Sequence, residues 1–244
     1  MHQGILPFTI SITRSREDSI REAEHANEEI QVYTDGSAID GKVGAAAILT
    51  RVGHPPRVLH LYMVPESEHT VHKVELVGIL LALQLISTEK HSSTSFALGV
   101  DNQAALKAFQ SVLRNPGHHI AREALQMANQ VQKQRQKGNY KLALRWMAGH
   151  EWIEGNEDID CKAKRAVRGK SSDKKMLPFY LRKRLLINPT AVKQAHHKDQ
   201  MKTWKDGWKA SYRGKHATSP DESTPSKRFL KTIRKNSATS MPAD

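Results

Sequence analysis

Apolar and polar positions alternate through Glu29-Ile-Gln-Val-Tyr-Thr34, and the run stops at Asp35-Gly36-Ser37. Period-two alternation closed by an Asp-Gly pair predicts a strand over 30–34, an acidic residue at or near its end, and a tight turn at Asp35-Gly36. A second apolar run, 44–50, is rich in small residues, as where another backbone packs close. After a turn at 52–56, residues 57–64 read as a third strand, and three strands with short connections make an antiparallel meander. The period then changes. Residues 71–85 are apolar at helical spacing behind Thr70, a fair N-cap. Residues 95–100 form a fourth strand that ends at Asp101, and Asp101 or Asn102 caps a helix through Phe109. Residues 120–137 carry Ala124, Leu125, Ala128 and Val131 on one helical face, and residues 141–147 are a fifth strand. A loop with two glycines, 148–160, then feeds a helix through Ala166. The order β-β-β-α-β-α-α-β-α predicts an α/β fold, a mixed five-stranded sheet flanked by helices.

The flanks read differently. Residues 1–28 are weakly patterned and polar from Ser15 on, a linker with room for a short helix over 16–27. After Gly169 the composition shifts. Residues 171–175 are a linker, 177–186 are short, basic and apolar, and 190–212 form an amphipathic basic helix carrying Ala191, Ala195, Trp204 and Trp208. The Ser, Pro, Thr and Lys content of 213–244 predicts disorder, with one apolar patch at Phe229-Leu230. The expected division is a linker (1–28), an α/β domain (29–169) and a basic, partly helical, partly disordered tail (170–244).

Charge sharpens this division. The chain has 244 residues and a formal net charge of +13. Residues 161–244 hold 22 Lys/Arg against 6 Asp/Glu, a net of +16, whereas residues 1–160 hold 16 against 19, a net of −3. A slightly acidic body joined to a strongly basic tail suggests a polyanionic partner, most simply nucleic acid. A single cysteine, Cys161, excludes an intrachain disulfide framework and a cysteine-based zinc site within this chain. No segment reads as a signal peptide or a membrane span, so an intracellular protein, cytoplasmic or nuclear and not secreted, is expected, with no membrane partner.

Acids occupy repeated structural positions: Asp35 after the first strand, Glu75 in the first helix, Asp101 after the fourth strand and Asp160 in the last helix. Glu75 is flanked by Val74, Leu76, Val77, Ile79 and Leu80, and its helical neighbours are Gly78, Ile79 and Ala82. A charge on that small, apolar face needs a partner or a metal. A sheet of this kind can bring all four acids to one edge, where ligands sit in open α/β folds. Four converging carboxylates call for hard cations such as Mg²⁺ or Mn²⁺. Two such ions, about 3.5–4 Å apart, serve in-line phosphoryl displacement. His150, in the glycine-flanked loop, is a candidate proton carrier beside such a cluster.

Four stretches now align with a known pattern: Tyr33-Thr-Asp-Gly-Ser37; Glu68-His-Thr-Val-His-Lys-Val-Glu-Leu76; Val100-Asp-Asn-Gln-Ala-Ala-Leu106; and Trp146-Met-Ala-Gly-His150 continuing to Gly155-Asn-Glu-Asp-Ile-Asp160. With these, residues 30–168 resemble the ribonuclease H domain, most of all the one that follows the reverse transcriptase in non-LTR retroelements. The resemblance implies that Asp35, Glu75, Asp101 and Asp160 are metal-binding catalytic acids. It also implies that His150 assists proton transfer or product release, and that Gly36, Ser37, His72, Asn102 and Gln103 lie near the substrate backbone. The implied activity is endonucleolytic hydrolysis of the RNA strand of an RNA–DNA hybrid, leaving 5′-phosphomonoesters. Two Mg²⁺ ions, for which Mn²⁺ substitutes, would serve it in a chain expected to be a monomer. Asp160 is preferred to Glu157 and Asp158 on the family's Gly-Asn-Glu…Asp spacing.

The chain departs from the pattern in three places. Val71-His72 stands where cellular members carry an Asn pair, Ala148 where a Pro is usual, and Trp152 where a small residue is usual. The alternative reading is a catalytically inactive nucleic-acid-binding module; a third is another nuclease or an integrase of the same broad fold.

Overall fold

The structure, a computed structural model, describes residues 6–63, 67–90, 94–111, 119–135, 140–148, 164–165 and 168–210. The chain divides into two compact units, residues 1–196 and 197–244.

In the first unit, strands β1 (Thr9–Ser11), β2 (Ile30–Ile39), β3 (Lys42–Arg51), β4 (His54–Met63), β5 (Ser95–Val100) and β6 (Lys141–Trp146) form one sheet in the order β1-β6-β5-β2-β3-β4. β2, β3 and β4 are antiparallel, while β2, β5, β6 and β1 run parallel. Helices α1 (Arg16–Glu24), α2 (Val71–Ser87), α3 (Gln103–Ser111) and α4 (His119–Gln134) flank the sheet, and α5 (Pro189–Ala210) runs from the first unit into the second. The expected mixed α/β sheet is present, with a sixth strand added to the expected five. Among the described residues no helix is long and apolar enough to cross a membrane.

The core is built on α2, which is buried from Val74 to Leu83. A helix apolar all round must be covered on every side. One side lies on β2 and β3 and another on α4. Gly78 permits the close approach, since a Cβ there would stand 3.3 Å from Thr34 Cβ and 3.6 Å from the Ala46 carbonyl oxygen. The small residues of β3, Ala45, Ala46 and Ala47, are wholly buried, as their composition predicts.

The first hairpin corrects the expected turn. β2 does not stop at Thr34, and Asp35-Gly36 is not a turn. The strand continues to Ile39, which pairs with Lys42, and the turn is the next Asp-Gly pair, Asp40-Gly41, with φ of 51° and 73°. Two successive positive φ values in a two-residue loop are the type I′ geometry that matches strand twist. Likewise the turn expected over 52–56 is only Val52-Gly53. β4 already begins at His54 and includes Pro55 and Pro56, which an edge strand tolerates.

Two elements fall within the residues expected to be a linker. β1 pairs in parallel with β6, and Phe8 before it packs edge-on against Phe109 of α3, with ring centroids 5.5 Å apart. Leu6, Phe8, Ile10 and Ile12 alternate like any half-buried strand and all join the core. α1 is capped by Ser15, and its buried Ser19 ties it to the end of β6. The Ser19 hydroxyl donates to the Trp146 carbonyl (3.0 Å) and accepts from Ala148 N–H (3.0 Å).

The start of the expected tail is also built into the first unit. Ser171 and Ser172 line the outer edge of β4, their hydroxyls accepting Tyr62 N–H (2.9 Å) and His60 N–H (3.0 Å). That blunts an exposed strand edge. A 3-10 turn, Phe179–Arg182, follows, and Leu177, Leu181 and Leu185 are buried in the core. We call residues 171–188 the strap. Leu181→Ala is therefore expected to destabilise the body by about 2–4 kcal/mol, read as a lowered denaturation midpoint at unchanged m-value. An unchanged midpoint would mean that the strap is not part of the folded unit.

Candidate active site

The parallel pairing of β2 with β5 sets the site. Thr34 and Val100 are direct partners, so Asp35 and Asp101 are the next residues along adjacent strands. Asp35 lies within β2, while Asp101 follows the last residue of β5. The third acid comes from above. Thr70 caps α2, its hydroxyl accepting Lys73 N–H at 3.3 Å. Glu75 then falls one turn in, on the face pressed to the sheet. Asp35, Glu75 and Asp101 each offer a carboxylate oxygen, and these oxygens lie within 4.8 Å of one another.

Glu75 is the buried member, 3% exposed, and its Oε2 has no hydrogen-bond partner among the described residues. Gly36 makes room for it: a Cβ there would meet Glu75 Cδ and Oε1 at 3.0 Å and Val74 Cγ1 at 3.1 Å. Glycine at 36 thus serves a close approach rather than a turn. Burial, then the neighbouring Asp101 and Asp35 carboxylates, push Glu75 up to about 9. Asp101 is held through its backbone, whose carbonyl accepts the Trp146 indole N–H at 2.9 Å.

The donor set fits a hard divalent cation. All three groups are carboxylates, their oxygens converge, and the buried Glu75 Oε2 has no hydrogen-bond partner among the described residues. His150 and Asp160, with the rival acids Glu157 and Asp158, lie outside the described residues. Ser37 is half-buried in β2 opposite Gly44. Asn102 caps α3, its Oδ1 accepting Ala105 N–H at 3.1 Å, and Gln103 opens that helix.

His72 lines a cleft of about 340 Å³ with Thr70, Lys73, His119, Tyr180 and Leu186 among its walls. The N-terminal ends of α2 and α4 meet there, which suits an anion. Lys73 donates to the Leu186 carbonyl, and burial lowers its pKa. Of these residues only His72 carries a binding signal in the sequence; Lys73, His119 and the strap residues around it carry none. Thr70 was legible only as a cap, and nothing in the pattern placed Tyr180 or Leu186 beside it.

Residues 27–168 match the family model described as RNase H. Among solved structures the chain is similar to LC9-RNase H1, a type 1 RNase H with the type 2 active-site motif (17% identity, TM-score 0.44, 61% of this chain and 76% of that one). It is similar also to RNase H1 from the halophilic archaeon Halobacterium salinarum (13%, 0.42, 58% and 98%). A third is LC11-RNase H1 solved with an RNA/DNA hybrid (16%, 0.42, 57% and 97%). No protein of curated function matches the chain.

Two outcomes follow from the geometry. Without a cation the fold favours neutral Glu75. Its contribution is fully present below the unfolded value of 4.5 and is lost as pH rises through about 9. The melting temperature of the wild type in chelator should fall across that window. Glu75→Gln, which cannot ionise, should show a flatter profile and melt several degrees higher at pH 8. Added Mn²⁺ should raise the wild type and leave the variant nearly unmoved; equal responses would remove Glu75 from the cation site. Gly36→Ala, which puts a methyl against the same carboxylate, should weaken the Mn²⁺-dependent rise while leaving the pH 5 melting temperature within a few degrees.

Proposed function

The chain belongs to the RNase H family, and on that premise we propose that it is a Mg²⁺-dependent endonuclease that hydrolyses the RNA strand of RNA–DNA hybrids. The observation that carries this reading is the convergence of Asp35, Glu75 and Asp101 at the end of the β2–β5 pair, with a buried Glu75 oxygen that has no hydrogen-bond partner among the described residues. Family membership supplies divalent-metal dependence; the all-oxygen donor set favours Mg²⁺, with Mn²⁺ as its substitute.

On this reading Asp35, Glu75, Asp101 and Asp160 hold two ions, which would supply Lewis-acid polarisation of the scissile phosphate and a water of lowered pKa. The chain's own residues do the rest. The half-dry setting of Glu75 keeps bulk water from competing for the carboxylate oxygens. The Trp146–Asp101 hydrogen bond fixes the loop that follows β5. His150 delivers a proton to the leaving 3′-oxygen or helps release product. Water adds across the P–O3′ bond, its hydroxyl going to phosphorus and its proton to O3′, which leaves a 5′-phosphate and a 3′-hydroxyl.

Gly36, Ser37, His72, Asn102 and Gln103 border the substrate backbone. The cleft beside His72 and Lys73, at two helix N-termini, suits one backbone phosphate. The basic C-terminal residues add electrostatic attraction for nucleic acid. The four motifs read most naturally as a domain derived from a non-LTR retroelement polyprotein, acting as a monomer inside the cell.

Cleavage of a strand-labelled hybrid in Mg²⁺ tests the reading. Only the RNA strand should be cut. EDTA should abolish cutting, and Asp101→Asn should reduce it roughly a hundredfold or more, the scale of losing a group that stabilises transition-state charge. Hybrid binding without cutting in the wild type would favour the inactive binding module instead.

A further inference from the structure

The second unit carries a surface that the catalytic reading does not use. Within α5, Lys198, Lys202 and Lys205 follow at intervals of four and three residues, so they share one face of the helix. All three are exposed. On the neighbouring face Trp204 and Trp208, one turn apart, stack with ring centroids 5.8 Å apart and planes 11° from parallel. Trp208 is 44% exposed. The acids of this segment, Asp199 and Asp206, fall on the opposite flank of the lysine face by the same helical spacing.

Two large aromatic rings in this setting are unusual for a solvated helix, and their position beside a cationic row defines a partner. The row is complementary to a phosphate backbone. An indole face is useful to that partner only if a base is unstacked from its neighbours, since a duplex keeps its base faces covered. We propose that residues 198–208 of α5 bind single-stranded nucleic acid, Lys198, Lys202 and Lys205 tracking the phosphates while the Trp204–Trp208 pair stacks on a base. The inference rests on reading the basic C-terminal residues as a nucleic-acid anchor, and it gives that anchor its residues and its preferred strand form. It does not rest on catalysis.

The test uses the full chain in EDTA, so that cleavage plays no part, titrated into fluorescein-labelled oligo-dT and, separately, into duplex DNA of equal length. Trp204→Ala and Trp208→Ala should each weaken oligo-dT binding about tenfold, with duplex binding changed less than twofold and Trp208→Tyr recovering most of the loss. Replacing all three lysines by Gln should reduce the slope of log K against log salt by about 2. Circular dichroism confirms that the variants keep their helix. Unchanged oligo-dT affinity in both tryptophan variants, or an equal loss on duplex, would overturn the stacking surface. An unchanged salt slope would remove the lysines from it. Hybrid cleavage measured on the same variants separates the two readings: a chain that binds oligo-dT as described but never cuts hybrid leaves this surface intact and sinks only the nuclease.

Discussion

The structure turns on how closely α2 sits on the sheet. Three carboxylate oxygens within 4.8 Å repel one another, and burial of Glu75 removes the water that would screen them. Such a cluster is costly to assemble. It is held because α2 is apolar on every side, and the cost of exposing that helix exceeds the cost of crowding one carboxylate. Gly36 and Gly78 decide the distance: one leaves space for the Glu75 carboxyl, the other lets the helix backbone settle over Thr34 and Ala46. The consequence is a cluster of three converging carboxylates with a Glu75 oxygen that meets no hydrogen-bond partner among the described residues, a donor set that a hard cation would suit.

The rest of the body serves that seating. The parallel β2–β5 pair sets Asp35 beside Asp101 without any special loop. α4 covers the far side of α2, and the Trp146 indole steadies the residue where β5 ends. Even α1 is tied in at Ser19, whose hydroxyl bridges the two residues that flank Met147, next to that same indole.

Much of this was legible in the residues. Period-two runs and one apolar helix carried the element order from β2 to β6, and Asp35, Glu75 and Asp101 stood out because each ends or interrupts an apolar pattern; the expected last helix and Asp160 lie outside the described residues. What was not legible depended on pairing rather than propensity. Two Asp-Gly pairs occur five residues apart, and local chemistry cannot choose between them. Register chooses: pairing Ile39 with Lys42 continues the ladder back through Asp35 and Ala46 and keeps both strands ten residues long. Pro55-Pro56 read as a break because a central strand cannot hold them, yet β4 is an edge. The alternation of Leu6, Phe8, Ile10 and Ile12 was a true strand signal obscured by the polar stretch after it. In the strap, Leu177, Leu181 and Leu185 recur every four residues, but the surrounding basic residues made the stretch look like part of a solvated tail.

The strap changes where the functional body ends. The family match stops at residue 168, yet Leu186, Ile187, Asn188 and Pro189 form one wall of the cleft that Thr70, His72, Lys73 and His119 line from the other side. Arg184 pairs with Glu68 at 2.9 Å and Asn188 N–H reaches the Glu68 carbonyl at 2.9 Å, both just before the cap of α2. The segment that ends at the Thr70 cap is therefore fixed by residues more than a hundred positions later in the chain. A chain cut at the family boundary would keep all three described carboxylates. It would lose one wall of the neighbouring cleft, the three strap leucines of the core and the contacts that steady the entry to α2. Because Glu75 lies one turn beyond that entry, the strap belongs to the support of the acidic cluster as much as to the cleft. The body that positions the carboxylates is larger than the motif that announces them.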